Sequence, residues 1–173
     1  MKKILILLGA LSISMSSFAY KAKSEDLSKY TLENYKPQVE KTLERSGLEF
    51  DEVGKIYDSP SLGYYNFVSV KKDGKVIAYV GLTHIKSYNK HEALLATISP
   101  DGKLLGFYLP DVNEKHPNVN EKEWMNKYIN KSIDELPVDS LAGSTFHAHS
   151  VNGELRNLLR AFDYKKDILT ENN

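Results

Sequence analysis

Two stretches of this chain are built alike, and together they limit its fold more than any other feature. "FVSVKKDGKVIAYVG" (67–81) and "LLATISPDGKLLGFYL" (94–109) each set Asp-Gly-Lys between two runs of alternating apolar residues. Alternation is the period of a half-buried strand, and Asp-Gly supplies the positive φ that a tight hairpin turn needs. Asp73 and Asp101 lie 28 residues apart, and two copies are too few for a solenoid. They predict two antiparallel hairpins in one four-stranded sheet, with "LTHIKSYNKHEA" (82–93) as the crossing between them. On that reading His84 and His91 are solvated loop residues.

Helical patterns flank the hairpins. In "YKAKSEDLSKYTLENYKPQVEKTLERSG" (20–47), Leu27, Tyr30, Tyr35, Val39 and Leu43 recur at roughly helical spacing, and Gly47 stands where a helix can end. Pro37 falls inside this pattern and predicts a kink or two pieces, with the firmer helix over 36–46. "EKEWMNKYIN" (121–130) predicts a short helix with Trp124, Tyr128 and Ile129 on one side, between breaks at Pro110, Pro117 and Pro137. "SVNGELRNLLRAF" (150–162) carries an apolar stripe of Val151, Leu155, Leu158, Leu159 and Phe162, so it predicts a final helix. The charged tail after Tyr164 is expected to fray. The expected fold is therefore α+β: a single domain whose antiparallel sheet, built from the two Asp-Gly hairpins, is covered by N-terminal and C-terminal helices.

The first residues bear on compartment. Lys2 and Lys3 precede the apolar run "ILILLGALSIS", and Ser17-Phe18-Ala19 offers small residues for cleavage before Tyr20. That run is too short to span a bilayer, which needs roughly 20 apolar residues. The expectation is a signal peptide over 1–19 and a periplasmic or otherwise exported product. A helical segment over 20–63, a main domain over 64–164 and a tail over 165–173 would follow. No cysteine follows the apolar run, so no lipid anchor is expected. The mature chain would hold 21 Lys and Arg against 23 Asp and Glu. So even a balance gives no broad basic surface for nucleic acid or an anionic membrane. The chain has no cysteine, which excludes disulfides, thiolate iron–sulfur ligation, c-type haem attachment and thiol redox chemistry.

The segment "VDSLAGSTFHAHSVNGELRNLL" (138–159) thins its side chains to Ala142, Gly143 and Ser144 just before Thr145. Small residues let a backbone approach a ligand closely, and a helix N-terminus offers unpaired N–H groups and a positive dipole end. Composition alone leaves open a plain capping loop. The order of residues adds a resemblance. "DSLAGST" (139–145) resembles the flavin attachment motif D-x-x-(S/T)-G-A-(T/S) of the FMN-binding domain family. That family includes the periplasmic flavoprotein subunits of the sodium-pumping NADH:quinone oxidoreductase and of the Rnf complex. "AGSTFHAHSVNGELRNLLRAF" also lies without gaps on the family's S-G-A-T-x-T-S-x-S-V-N followed by an apolar-striped helix. In that family a transferase takes FMN from FAD and joins its phosphate to the motif's threonine.

Carried over by position, the resemblance implies FMN held covalently through Thr145, with Asp139, Gly143 and Ser144 leading into it. Ala142 and Ser144 depart from the pattern but stay small. His147 and Ala148 stand where family members often carry Thr-Ser, and His147 could hydrogen-bond the phosphate in place of a hydroxyl. The match covers about 64 to 162. Of the family's His-x-Glu-Thr-Pro-Gly loop, only His116 and Pro117 echo here.

Other chemistries are weaker. His147 and His149 would share one side of an extended strand, but two ligands do not make a zinc or copper site, and Asp139, His84, His91 and His116 are only candidates to complete one. Tyr64, Tyr65, Phe107, Tyr108 and Trp124 could stack on a flavin, although each is better read as a strand or core-edge aromatic. "GSTFH" lacks the G-x-S-x-G elbow, so Ser144 is no hydrolase nucleophile. The resemblance thus implies an exported electron-transfer flavoprotein, more a carrier or redox module of a membrane-associated complex than a self-sufficient oxidoreductase. Its partners would be the flavin transferase and an envelope redox protein. The competing expectation is a flavin-free exported binding module that holds a metal through His147 and His149 or contacts a protein.

Overall fold

Asp73 and Gly74 both take positive φ, at 52° and 72°, and Lys72 pairs directly with Lys75 across them. This is the two-residue hairpin whose twist matches that of its strands. The second Asp-Gly behaves differently. Only Gly102 has positive φ, at 90°. Ser99 N–H donates to the Lys103 carbonyl (2.8 Å), and Gly102 N–H to the Ser99 carbonyl (2.9 Å). The Ser99 hydroxyl also donates to Asp101 Oδ1 at 2.5 Å. Identical tripeptides therefore make a two-residue and a three-residue turn, and the preceding Ser-Pro accounts for the difference by starting the wider one.

The computed structural model describes residues 32–57, 64–87, 90–110, 119, 121–139, 141 and 145–171. Helix α1 (Leu32–Leu43) leads into strands β1 (Glu49–Tyr57), β2 (Tyr64–Lys72), β3 (Lys75–Ser87), β4 (Lys90–Ile98) and β5 (Leu104–Tyr108). A short helix α2 (Lys122–Asn126), a 3-10 turn (Ile133–Glu135) and a long helix α3 (Thr145–Glu171) complete the chain. The strands form one antiparallel meander in the order β1-β2-β3-β4-β5. The protein is a single α+β domain, with α1 on one face of the sheet and α3 on the other.

Period two sorts the side chains between these faces. Tyr65, Phe67, Tyr79, Ile85, Leu94, Ala96 and Ile98 face α3, where Leu155, Leu158, Leu159 and Phe162 meet them. Val68, Val70, Ala78, Val80, Leu82, Ala93 and Leu95 face Tyr35 and Val39 of α1. Trp124 and Tyr128 close the first core against Phe107, with ring centroids 4.9–5.7 Å apart. Residues 130–131 then run along the free edge of β5, where Leu104 exchanges backbone hydrogen bonds with Asn130 and Lys131.

The structure departs from the sequence expectations in four places. The sheet has five strands rather than four, because "EFDEVGKIY", inside the segment expected to be helical, forms β1. It is a charged edge strand with a bulge between Glu52 and Gly54 that interrupts its alternation. The supposed crossing at 82–93 is instead the far end of the β3–β4 hairpin, so His84 and His91 lie in strands. Helix α1 runs through Pro37 and ends at Leu43, not 46. There Glu44 takes the left-handed conformation at φ 52° and Arg45 N–H closes on the Glu40 carbonyl. Finally, α3 begins at Thr145 and continues to Glu171, past the residues expected to fray. The proposed leader (1–19) lies outside the described residues.

Candidate functional site

Helix α3 lies along β3 in the opposite direction. The Ser150 hydroxyl reaches the Lys86 carbonyl (2.9 Å), Glu154 meets Thr83 (2.6 Å), and Leu158 sits over Gly81. A Cβ on Gly81 would stand 2.8 Å from Leu158 Cδ2, so the bare backbone there sets how near the helix lies. Thr145 is thereby fixed as the exposed first residue of α3, at the end of the sheet where β3 turns into β4. Its hydroxyl donates to the Leu141 carbonyl at 3.3 Å.

The segment leading to Thr145 is strapped along α3 by the helix's own side chains. Asn152 Nδ2 donates to the Asp139 carbonyl (2.8 Å). One turn on, Arg156 donates to the carbonyls of Ile133 (3.1 Å) and Leu136. Positions 145, 152 and 156 follow one another at seven and four residues, which is a single stripe of a helix. The strap 133–139 therefore runs antiparallel to α3, toward its N-terminus. Asp139 is held a second way: its Oδ2 pairs with Lys127 Nζ at 2.6 Å. Burial pushes the Tyr128 hydroxyl, which faces Asn152 behind the strap, up to about 12.

His147 stands where its sequence position does not suggest. It is 1% exposed, and its Nε2 lies 3.1 Å from Oε2 of Glu92 on β4, itself buried. The imidazole is thus built into the helix–sheet interface, and its Nε2 is directed at a carboxylate rather than at the Thr145 surface. Because 147 to 149 is helical, the two histidines are turned about 200° apart, and His149 is exposed. Among the described residues no group of three or more His, Cys, Asp or Glu could hold a metal ion. Two turns after His147, Glu154 accepts a hydrogen bond from the Thr83 hydroxyl, while burial pushes its carboxyl above the usual carboxylate range.

Asp139, Thr145 and His147 are thus placed on one end of the molecule, whereas Ala142, Gly143, Ser144, His116 and Pro117 lie outside the described residues. Lys127, Asn152, Arg156 and Glu92 are site neighbours to which no sequence motif assigns a role. Of the aromatic candidates, Tyr65, Phe107 and Trp124 are buried in the core and Tyr108 is half-buried. The exposed large hydrophobic residues among those described are Val138, Phe146 and Tyr164, and the first two stand on either side of Asp139 and Thr145 in the sequence. No helix of the described residues is long and apolar enough to cross a membrane. No protein-family model matches the chain, and no curated protein matches it either.

Proposed function

We propose that this protein is an exported electron-transfer flavoprotein that carries FMN as a phosphoester on Thr145. The observation that carries the reading is the exposed Thr145 hydroxyl on the first turn of a 27-residue helix, at the end of a run that resembles the flavin attachment motif. A modifying enzyme needs an acceptor hydroxyl that stands clear of its surroundings, and among the described residues its hydrogen bond is a long one to the Leu141 carbonyl. The residues present fit such a group. The N–H groups of the first turn and the positive end of the helix dipole suit a phosphodiester's single charge. The Asp139 carboxylate, which would repel it, is neutralised by Lys127.

Attachment would form a bond between Thr145 Oγ1 and the FMN phosphorus of FAD and break the phosphoanhydride bond to AMP. The hydroxyl proton would pass to the transferase's base, since a threonine hydroxyl is a poor nucleophile unaided. Bound FMN supplies one- and two-electron chemistry that no side chain of this cysteine-free chain offers. The chain's own part is to hold position: Asn152 and Arg156 fix the strap, and His147 with Glu92 fixes the first turn. A tether keeps a cofactor that would otherwise be lost outside the cytoplasm, and an envelope redox protein would exchange electrons with it.

Intact mass after co-expression with an FMN transferase tests the reading. The expected result is an added FMN phosphoester on the mature chain that is absent in Thr145→Ala. A fully unmodified wild-type chain beside a control acceptor that is modified would overturn it.

A further inference from the structure

We infer that the isoalloxazine ring of the attached FMN is seated on Phe146, with Val138 on the flank of the seat. This inference rests on the flavin reading and adds to it a binding surface in a part of the chain that the motif does not specify.

Three observations carry it. First, four large aromatic residues of the core are already engaged there. Phe107, Trp124 and Tyr128 pack edge to face or tilted against one another, and Tyr65 is fully buried. None of these can present a face to a group attached at the surface. Second, large apolar side chains are exposed at only three of the described positions: Val138 at 81%, Phe146 at 50% and Tyr164 at 71%. Tyr164 is 19 residues along α3 from Thr145, roughly 28 Å along the axis, beyond a ribityl tether. Third, the other two lie within reach of Thr145. Phe146 is its neighbour on the first turn of α3. Val138 precedes Leu141, whose carbonyl accepts the Thr145 hydroxyl at 3.3 Å, by three residues, a span of about 10 Å at most.

An exposed phenyl on a helix surface gains nothing from water, and covering apolar area is worth about 25 cal/mol per Å². A flat aromatic ring held on a short tether can cover it without the translational cost of association, because attachment has already localised it. The seat is also held in place. Phe146 is followed directly by the buried His147–Glu92 pair, and Val138 is followed by Asp139, fixed by Lys127 and Asn152.

The test uses full-length chain matured with an FMN transferase, in five forms: wild type, Phe146→Ala, Phe146→Tyr, Val138→Ser and Tyr164→Ala. Intact mass first establishes the graft, and iodide quenching of flavin fluorescence and visible circular dichroism then report the ring's surroundings. In loaded Phe146→Ala we expect at least a twofold rise in the iodide quenching constant and loss of most of the visible dichroism. Val138→Ser should show a smaller change in the same direction, and Phe146→Tyr and Tyr164→Ala should match wild type. Loaded Phe146→Ala that is indistinguishable from wild type would sink the seat while leaving the flavin reading intact, as would an equal change in Tyr164→Ala. Wild type that takes up no graft would remove the flavin reading and the seat together.

Discussion

The two halves of α3 solve the same packing problem with different chemistry. The C-terminal half presents Leu155, Leu158, Leu159, Ala161 and Phe162, all fully buried. They pack on Phe67, Tyr79 and the bare backbone of Gly81, with the Phe162 ring 5.2 Å from Tyr79 and 5.7 Å from Phe67. The N-terminal half also buries Ala148 and Val151, but beside them it adds polar contacts to the same sheet: the His147–Glu92 pair, the Glu154–Thr83 hydrogen bond and the Ser150 hydroxyl. A helix needed only as a cover would have no use for polar contacts beside its apolar stripe. Burying polar or charged side chains brings a desolvation cost that a well-packed apolar pair avoids, so these polar contacts are a poor way to gain stability. The half that carries them does end at Thr145. The difference separates a part of the helix that holds the fold from a part given over to the proposed site.

The largest effect expected is from breaking the polar half unevenly. His147→Leu removes the imidazole that faces the buried Glu92 carboxyl and should cost about 3–5 kcal/mol in urea unfolding. Replacing both, as Glu92→Leu with His147→Leu, should recover most of that loss. A single change costing no more than a surface substitution would show that the pair is not buried as described.

The apolar half should respond differently, through volume alone. Leu158→Ala should cost about 2–5 kcal/mol, and Gly81→Ala about 1–3 kcal/mol because the new Cβ meets Leu158. The two changes act on one space, so the double variant should be less destabilised than their sum. Strict additivity would mean that α3 does not rest on Gly81.

Glu154 marks the boundary between the halves and gives a smaller, pH-dependent effect. Burial raises its carboxyl pKa in the folded state above the ordinary value, so the native chain holds that proton more tightly than the unfolded one. Stability from this group is full below the ordinary carboxylate range and is lost as pH rises through the raised folded value. Glu154→Gln can keep the bond to Thr83 and should remove this loss. The variant should gain on wild type between pH 4 and pH 8, by about 1 kcal/mol, when unfolding curves are compared at both ends.

The same division explains what could be read in the sequence. The two Asp-Gly hairpins, the α+β class and the helix over 150–162 follow from alternation and from an apolar stripe, which are periodic signals. What escaped is aperiodic. β1 hides its alternation behind Asp51, Glu52 and a bulge, and the first turn of α3 hides its buried face behind a histidine. "HAH" reads equally as a strand edge or a helix start, and only the second sends His147 inward and His149 outward. Asn152 and Arg156 act on backbone carbonyls of residues 133–139, and no side-chain motif announces a carbonyl. Of the proposed site, then, Thr145 could be named from the sequence, whereas the residues that support it could not.

The smallest expected change in stability belongs to the residue expected to matter most. Thr145 is exposed, and its hydroxyl donates a long hydrogen bond to the Leu141 carbonyl. Thr145→Val keeps the shape, removes that donor and should change unfolding free energy by no more than about 0.5 kcal/mol. If α3 begins with a threonine merely to finish its first turn, that small cost is all the substitution can show. If the threonine is the acceptor, the same variant, equally folded, should lose all of the added mass that wild type gains beside a competent transferase. Comparing the two measurements on one preparation distinguishes a structural hydroxyl from a chemical one. His147→Leu with Glu92→Leu supplies the opposite control: it alters the interface directly beneath the acceptor yet leaves the hydroxyl in place, so it should still be modified.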